Sequence, residues 1–335
     1  MENIIYKLFG TVFISLKLTY SGNGAREMGD ELELERILER YRAAGRILVE
    51  VREAALELVK PGNRLLDVAE FVESGIRERG GEPAFPCNIS RNEEAAHATP
   101  SIDDESVFEQ DDLVKLDIGV HIDGYIADSA VTVDLSADGK HKELISASES
   151  ALYEAIKVIH DGVSTVEIAE VIENAIRERG YKPIVNLSGH GLARYNSHAP
   201  PTIPNVKYEH GHGVILKTND VIAIEPFATD GGGKVVEGGN VEIYSLIKPK
   251  PVRMREAKKL LNEIKKYHGL PFARRWLPRE RLNLVLKTLK DTGVLRDYPV
   301  LREEDKGLVA QAEHTVIVKE DGCEVTTSST PKQYE

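Results

Sequence analysis

The sequence predicts an α+β fold of two related halves, because an internal repeat combines with helical patterns that lead into extended ones. The pentapeptide IRERG occurs at 76–80 and again at 176–180. Around it, the segment that begins at Pro61 matches the segment that begins at Asp161. Solenoid repeats have periods of about 20 to 50 residues, so a period near 100 residues indicates two halves related by a pseudo-two-fold axis.

Each half is expected to begin with a pair of helices. The first helix of each pair is predicted at 31–59 and at about 143–159. The second helix has apolar residues at helical spacing and ends at a glycine, which is a common C-terminal signal. These apolar residues are Val68, Phe71, Val72 and Ile76 in the first copy and Ile168, Val171, Ile172 and Ile176 in the second.

Extended sequence follows the helices in both halves, in matching order. Asn88-Ile-Ser corresponds to Asn186-Leu-Ser, and the segment at His97 corresponds to the segment at His198. KLDIG, which contains Asp117, corresponds to AIEP, which contains Glu225. Equivalent positions of two related halves meet near their shared axis, so the cleft between the halves is the expected place for a site.

The stretch that begins at Val114 predicts a β-hairpin. Asp123-Gly124 is a signal for a two-residue type I′ turn. That turn sets Asp117 opposite Ala130, so Asp128 lies diagonal to Asp117 on the same face of the sheet. Two buried carboxylates this close are costly unless they are protonated, paired or bound to metal.

Three more residues carry compatible chemistry. Glu225 ends one apolar strand, Glu313 precedes another, and His190 is predicted in a glycine-flanked turn. A single Glu at a strand end is usually solvated, and a single such His is ambiguous. Together with Asp117 and Asp128, however, they would carry a charge of −4, which two divalent cations neutralise. An oxygen-rich set suits Mn, Fe(II) or Co, and a two-metal site favours hydrolysis.

Composition limits the class of protein. The chain has 335 residues, 41% hydrophobic and 29% charged, which is typical of a globular protein. Its net charge of −12 argues against a protein that follows nucleic-acid phosphates. The two cysteines, Cys87 and Cys323, lack metal-ligand or disulfide spacing and favour a reducing cytoplasm. Lys7 and Lys17 interrupt the apolar start, so residues 1–27 are expected to be an extension outside the core, with Met28 as an alternative start.

The motifs as a set resemble the methionine aminopeptidases, and most closely their type 2 branch, over about residues 30–328. The stretches that carry the resemblance, in order, are KLDIG, IADSAVTV, SGHGLARYNSHAP, AIEPF and AEHTVIV. The resemblance implies a pita-bread metallopeptidase domain at 28–335, with two pseudo-symmetric halves around a curved antiparallel sheet. It also implies an inserted helical subdomain at 246–310. The chain departs from the family pattern at Ser197 and Ala312.

The resemblance further implies the roles of individual residues. Two divalent metal ions, from among Co, Mn, Fe(II), Zn and Ni, would be held by Asp117, Asp128, His190, Glu225 and Glu313. Glu225 would also accept a proton from the bridging water, and His97 and His198 would contact the scissile amide. Phe85, Phe227 and Tyr298 would line the methionine pocket, although ordinary core packing would also explain them.

The implied activity is removal of the N-terminal methionine of nascent proteins when the second residue is small, through hydroxide that the metals activate. We expect a cytoplasmic monomer with no membrane or specific DNA partner. Basic residues on the insertion helices would allow contact with ribosomal RNA, although a solvated face is the better explanation of them.

Two other functions share this fold. An Xaa-Pro peptidase would use the same ligands, but the short N-terminal region and the 246–310 insertion favour the aminopeptidase. A non-catalytic ribosome- or RNA-binding relative would lose ligands, whereas all five positions are filled here.

Overall fold

The computed structural model of the chain describes residues 24–208 and 213–329, with side chains from residue 31 onward. Most of the extension predicted at residues 1–27 therefore lies outside the described residues. Contacts divide the chain into a short unit up to Arg36 and a large unit, Ile37–Glu335. The large unit contains every residue of the predicted site.

Six α-helices occur within the described residues, and they include both predicted helix pairs. They are α1 (Gly24–Leu56), α2 (Leu65–Glu78), α3 (Lys142–Val158), α4 (Thr165–Glu178), α5 (Arg255–Ile264) and α6 (Leu282–Asp291). Two short 3-10 helices lie between α5 and α6, at Lys265–Tyr267 and Arg274–Trp276.

The strands pair only with antiparallel neighbours in the described part of the chain. Their bounds are β1 (Glu82–Pro83), β2 (Asn88–Arg91), β3 (Glu94–Ala96), β4 (Leu113–Ile122), β5 (Tyr125–Asp134), β6 (Lys182–Pro183), β7 (Ser188–Ala193), β8 (Asn196–Pro204), β9 (Val221–Ile224), β10 (Phe227–Thr229), β11 (Val235–Leu246), β12 (Phe272–Ala273), β13 (Leu295–Glu303), β14 (Val309–Gln311), β15 (His314–Lys319) and β16 (Gly322–Val325). They form four groups: β1, β2, β4 and β5; β6, β10 and β14; β3, β11, β12 and β13; and β7, β8, β9, β15 and β16.

The repeat is confirmed in three dimensions. Helix α4 and strand β6 follow α2 and β1 at a constant spacing of 100 residues. Gly80 and Gly180 end the two helices with φ of +84° and +82°, a conformation that glycine adopts without steric cost. The loops before α2 and α4 also make equivalent hydrogen bonds. The Gly62 N–H donates to Phe108 O at 2.8 Å, and the Gly162 N–H donates to Leu216 O at 2.9 Å.

Each half buries its own apolar core under its helix pair. Val68, Val72 and Ile76 pack under the first half, as predicted. Phe71, which shares the helical spacing of these residues, is instead 39% exposed. The buried row follows i, i+4 spacing, and Phe71 lies to one side of that row. The second half likewise buries Ile168, Ile172 and Ile176, whereas Val171 is only half-buried.

The two helices predicted in the insertion are present as α5 and α6, and they share a separate apolar cluster. A buried polar contact joins this region to helix α2. The carboxylate of Glu73 accepts hydrogen bonds from the guanidinium of Arg275 and, at 2.7 Å, from the indole N–H of Trp276. Arg275 also donates to Thr99 Oγ1 at 2.8 Å, so the insertion is anchored against the first half.

Two further features follow from the described residues. No helix among them is long and apolar enough to cross a membrane. Cys87 is buried and Cys323 is partly buried, and both are free thiols.

Candidate metal centre

The predicted hairpin is observed with the predicted register. In strands β4 and β5, Asp117 lies opposite Ala130, and Asp128 lies opposite Gly119. Both carboxylates enter one cavity of about 410 Å³. The other face of β4 packs Leu116, Ile118 and Val120 into the core, so the apolar alternation directs the two acids to the same side.

His190 lies within strand β7 and not in a turn, which corrects the prediction from sequence. Its flanking glycines allow neighbouring strands to approach closely. A Cβ at Gly189 would lie 2.4 Å from the carbonyl oxygen of Ala223, and a Cβ at Gly191 would lie 2.2 Å from that of Pro200. The two glycines therefore serve strand packing, with the imidazole of His190 directed into the cavity.

Glu225 and Glu313 sit at the facing ends of paired strands. Glu225 directly follows β9 and Glu313 directly precedes β15, where His314 pairs with Ile224. The Glu313 N–H donates to Ala130 O at 3.0 Å, so β15 meets the hairpin beside Asp128. Strand pairing across nearly 200 residues thus brings the acids of both halves together.

The five predicted ligands converge on the floor of the cavity. His190 Nε2 lies 3.4 Å from Glu225 Oε1 and 4.0 Å from Asp128 Oδ2. One potential ligand atom each from Asp128, His190 and Glu313 lies within 4.8 Å of the others. These three residues are only 3%, 6% and 2% exposed. Asp117 and Glu225 line the same cavity.

Burial sets the protonation of these groups. It raises the pKa of Glu225 to about 8 and, with the added repulsion of Glu225, that of Asp117 to about 7. It also raises the pKa values of Asp128 and Glu313 well above their usual range, and neighbouring carboxylates raise them further. Burial lowers the pKa of His190 to about 4, so its imidazole is neutral at pH 7, the form that ligates metals.

The donor set fits divalent cations. Among the described residues, Asp117 Oδ1 and Asp128 Oδ1 are buried without any hydrogen-bond partner. An unsatisfied buried carboxylate oxygen is costly, and clustered carboxylates that cannot all ionise are costlier still. Bound cations in the place of protons would give the unpaired oxygens a partner and would neutralise the clustered carboxylates. Carboxylates with one imidazole are ligands of the divalent transition metals.

Sequence reasoning missed two amides that hold the carboxylates. Asn88 Nδ2 donates to Asp117 Oδ2 at 3.4 Å, and Gln311 Nε2 donates to Glu225 Oε2 at 3.4 Å. Asn88 lies directly opposite Asp117 in the neighbouring strand β2. Asn88 could have been found from the sequence, because its Asn-Ile-Ser motif is matched by Asn186-Leu-Ser in the second half. The one sequence signal for Gln311 was its position two residues before Glu313.

The two histidines predicted to meet the substrate lie on the cavity wall. The rings of His198 and His190 have their centres 4.4 Å apart, and His198 Nδ1 lies 3.1 Å from Ser197 Oγ. His97 Nδ1 lies 3.3 Å from Pro299 O, and its ring meets Tyr298 edge-on with centres 5.5 Å apart. Burial lowers the pKa of His97 to about 4, so it is neutral at pH 7.

Aromatic residues form the apolar part of the wall. Phe85, Phe227 and Tyr298 all line the cavity, as predicted for the methionine pocket. Gly119 makes room for one of them, because a Cβ there would lie 2.3 Å from the Phe85 ring. The structure thus brings together every residue predicted for the site, while the role of each residue stays a prediction.

Comparison with known proteins identifies the family. Residues 39–320 match the model of metallopeptidase family M24. The chain is 52% identical to the methionine aminopeptidase of Archaeoglobus fulgidus over 301 residues, which are 90% of this chain and 100% of that protein. The chain belongs to the methionine aminopeptidases of family M24. It is also 50% identical to the methionine aminopeptidase of Methanocaldococcus jannaschii over 295 residues, 88% of this chain and 98% of that one.

Solved structures of low sequence identity share the architecture. A thermophilic Arx1 superposes with a TM-score of 0.79 at 18% identity, over 87% of this chain and 90% of that chain. The methionine aminopeptidase of Thermotoga maritima superposes with a TM-score of 0.65 at 24% identity, over 87% and 96%. They confirm the pita-bread fold. As a methionine aminopeptidase of family M24, the chain is a metal-dependent hydrolase.

Proposed function

We propose that this chain removes the N-terminal methionine from nascent proteins whose second residue is small. The observation that carries the proposal is the convergence of four buried carboxylates and one neutral imidazole on the floor of a cavity with aromatic walls. The full-length identity of about 50% to archaeal methionine aminopeptidases supports the substrate. Nascent chains are made in the cytoplasm, so we place the activity there.

The residues that would hold metal are Asp117, Asp128, His190, Glu225 and Glu313. We propose two divalent ions, because two neutralise the four carboxylates, and we leave open Co, Mn, Fe(II), Zn or Ni. Such ions, when bound, lower the pKa of water and polarise a carbonyl oxygen. Asn88 and Gln311 orient Asp117 and Glu225 through their amide N–H groups, which fixes the direction of the remaining oxygens.

Side chains of the protein itself then accept the proton and orient the substrate. Glu225 accepts the proton of the attacking water, because one of its oxygens is held by Gln311 and the other faces the interior of the site. His97 and His198 line the same cavity and hydrogen-bond the scissile amide, which positions its carbonyl carbon for attack.

Burial of the donors explains why only a chain end would be cut. Asp128, His190 and Glu313 are almost inaccessible at the cavity floor, so the interior of a polypeptide cannot reach them. The methionine side chain packs against Phe85, Phe227 and Tyr298, where its thioether makes favourable contacts with aromatic rings. Ser197, buried beside His198, adds a hydroxyl to this wall.

A peptide panel with controlled metal content tests the proposal. We expect cleavage of Met-Ala-Ser, little cleavage of Met-Leu-Ser, and no preference for Ala-Pro-Ser. Chelation should abolish activity, and Mn²⁺, Fe²⁺ or Co²⁺ should restore it. A preference for Xaa-Pro peptides would instead establish the Xaa-Pro peptidase, and full activity after exhaustive chelation would contradict the metal site.

A further inference from the structure

Exposed residues mark the mouth of the active cavity. Asp128, His190 and Glu313 on its floor are almost inaccessible, whereas four other lining residues are exposed. We call these four the rim, and they are Asn186, Asn196, His198 and Arg296. The remaining described lining residues are buried or half-buried. A polypeptide whose first residue lies on the floor therefore leaves the cavity past the rim.

Strand β13 directs the Arg296 side chain to the rim. Successive side chains of a strand point to opposite faces, so Arg296 shares a face with Tyr298, which lines the cavity. Leu295 and Asp297 share the other face. There Leu295 packs in the apolar cluster of the insertion, and Asp297 pairs with Lys290 of α6. The alternation thus separates Arg296 from the acidic residue next to it in sequence.

The charge of Arg296 is available to a ligand. Among the described residues that line the cavity, Arg296 is the only arginine, and there is no lysine. Its guanidinium forms no ion pair within the described part of the chain and rests over the Tyr298 ring, with Cζ 4.9 Å from the ring centre. The protein carries a net charge of −12, so an acidic peptide is repelled overall and is attracted only by local positive charge.

The Tyr298 ring relates this cation to the bond that would be cut. The ring centre lies 5.5 Å from that of His97, which we propose to hydrogen-bond the scissile amide, and 4.9 Å from Arg296 Cζ. An extended chain advances about 3.3 Å per residue, so the third and fourth residues of the substrate come within reach of the guanidinium. The second residue is small by the proposed function, and its side chain is too short to use this contact.

We propose that Arg296 makes the enzyme selective for substrates with an acidic side chain at the third or fourth residue. The inference rests on the proposed function. A guanidinium donates two parallel hydrogen bonds to a carboxylate, which neither an amide nor an ammonium side chain can accept. The contact involves a part of the substrate that does not react, so substrate and transition state are bound equally. The preference should therefore appear in KM, with kcat alike for acidic and neutral substrates.

Steady-state kinetics on three peptide amides test the inference. They are Met-Ala-Glu-Glu-Ser-Ser, Met-Ala-Gln-Gln-Ser-Ser and Met-Ala-Lys-Lys-Ser-Ser, and the C-terminal amide removes the other carboxylate. The metal-loaded wild type is compared with Arg296→Gln, Arg296→Glu and the control Arg253→Glu, which changes an exposed arginine outside the cavity. The readout is the ratio of kcat/KM between a charged peptide and the neutral one for each protein, because a general loss of activity cancels in this ratio.

The wild type and Arg253→Glu should prefer the acidic peptide over the neutral one by about two- to fivefold in kcat/KM, the scale of an exposed charge pair. Arg296→Gln should abolish this preference, and Arg296→Glu should reverse it in favour of the lysine peptide. An acidic preference that survives Arg296→Gln, a preference carried by kcat alone, or no preference in the wild type overturns the inference while the proposed function stands. Failure of the wild type to cleave any of the three peptides overturns the proposed function and the inference together.

Discussion

Replacing the Glu225 carboxylate should stabilise the metal-free protein even though it removes a proposed metal ligand. The Glu225 side chain is only 13% exposed, and burial raises its pKa to about 8 from an ordinary value of 4.5. Between these two values the folded state keeps a proton that the unfolded state has released. The free energy of unfolding therefore falls as the pH rises through this window, and the penalty is complete above pH 8.

The size of the effect follows from the shift. Each pH unit inside the window lowers the free energy of unfolding by about 1.4 kcal/mol for one carboxyl group. Glu225 therefore lowers the free energy of unfolding by about 2 kcal/mol between pH 6.5 and pH 8. Asp117, whose pKa is about 7, adds to the loss over the lower part of this range. His97 and His190, with pKa values lowered to about 4, destabilise the fold only as the pH falls below 6.5. Burial lowers the pKa of Lys115 to about 7, which acts in the opposite sense over the same range, so the contribution of Glu225 is read from the difference between wild type and Glu225→Gln.

Urea unfolding of chelator-treated protein at pH 6.5 and pH 8 measures this change in the free energy of unfolding. Glu225→Gln should reduce the loss of stability between the two pH values by about 2 kcal/mol relative to wild type. Glu237→Gln, at an exposed glutamate, should behave as wild type. Excess Mn²⁺ should invert the order, because wild type then gains the binding free energy that the variant lacks. Identical pH dependence in wild type and Glu225→Gln would refute the account of a costly buried carboxylate.

Three further substitutions test other contacts. Glu225→Ala should lower kcat/KM for Met-Ala-Ser by more than about 100-fold in metal-supplemented assays, the scale of a lost acid–base group, and retained activity would remove Glu225 from its role. Gly191→Ala should cost about 1–3 kcal/mol in urea unfolding and weaken Mn²⁺ binding by calorimetry, because its Cβ would clash with β8. Gly239→Ala, with open space around its Cβ, should do neither. Glu73→Gln should cost about 3–5 kcal/mol in urea unfolding, because it leaves the buried guanidinium of Arg275 without its charge partner, and a cost below about 1 kcal/mol would contradict that.

Local signals and the repeat were enough to predict much of the fold and the composition of the site. The Asp123-Gly124 turn fixes the β4–β5 register over the whole hairpin, so the common face of Asp117 and Asp128 follows from sequence alone. The repeat relates Asp117 to Glu225 because equivalent strands of two related halves face one axis.

The features that sequence missed depend on contacts between segments far apart in the chain. Glycines commonly mark turns, yet those beside His190 allow β8 and β9 to approach, which no local pattern reveals. The contact from Gln311 to Glu225 joins residues 86 positions apart. Tyr195 likewise joins distant segments, because its N–H donates to Gly124 O and its ring stacks on His268.

The most direct test of the central claim is the anomalous-scattering crystal structure of the protein loaded with Mn²⁺. We expect two manganese peaks about 3.5–4 Å apart, the usual spacing of paired metals. They should be ligated by Asp117, Asp128, His190, Glu225 and Glu313. Manganese bound elsewhere, or absent from this cavity at saturating concentration, would contradict the assignment.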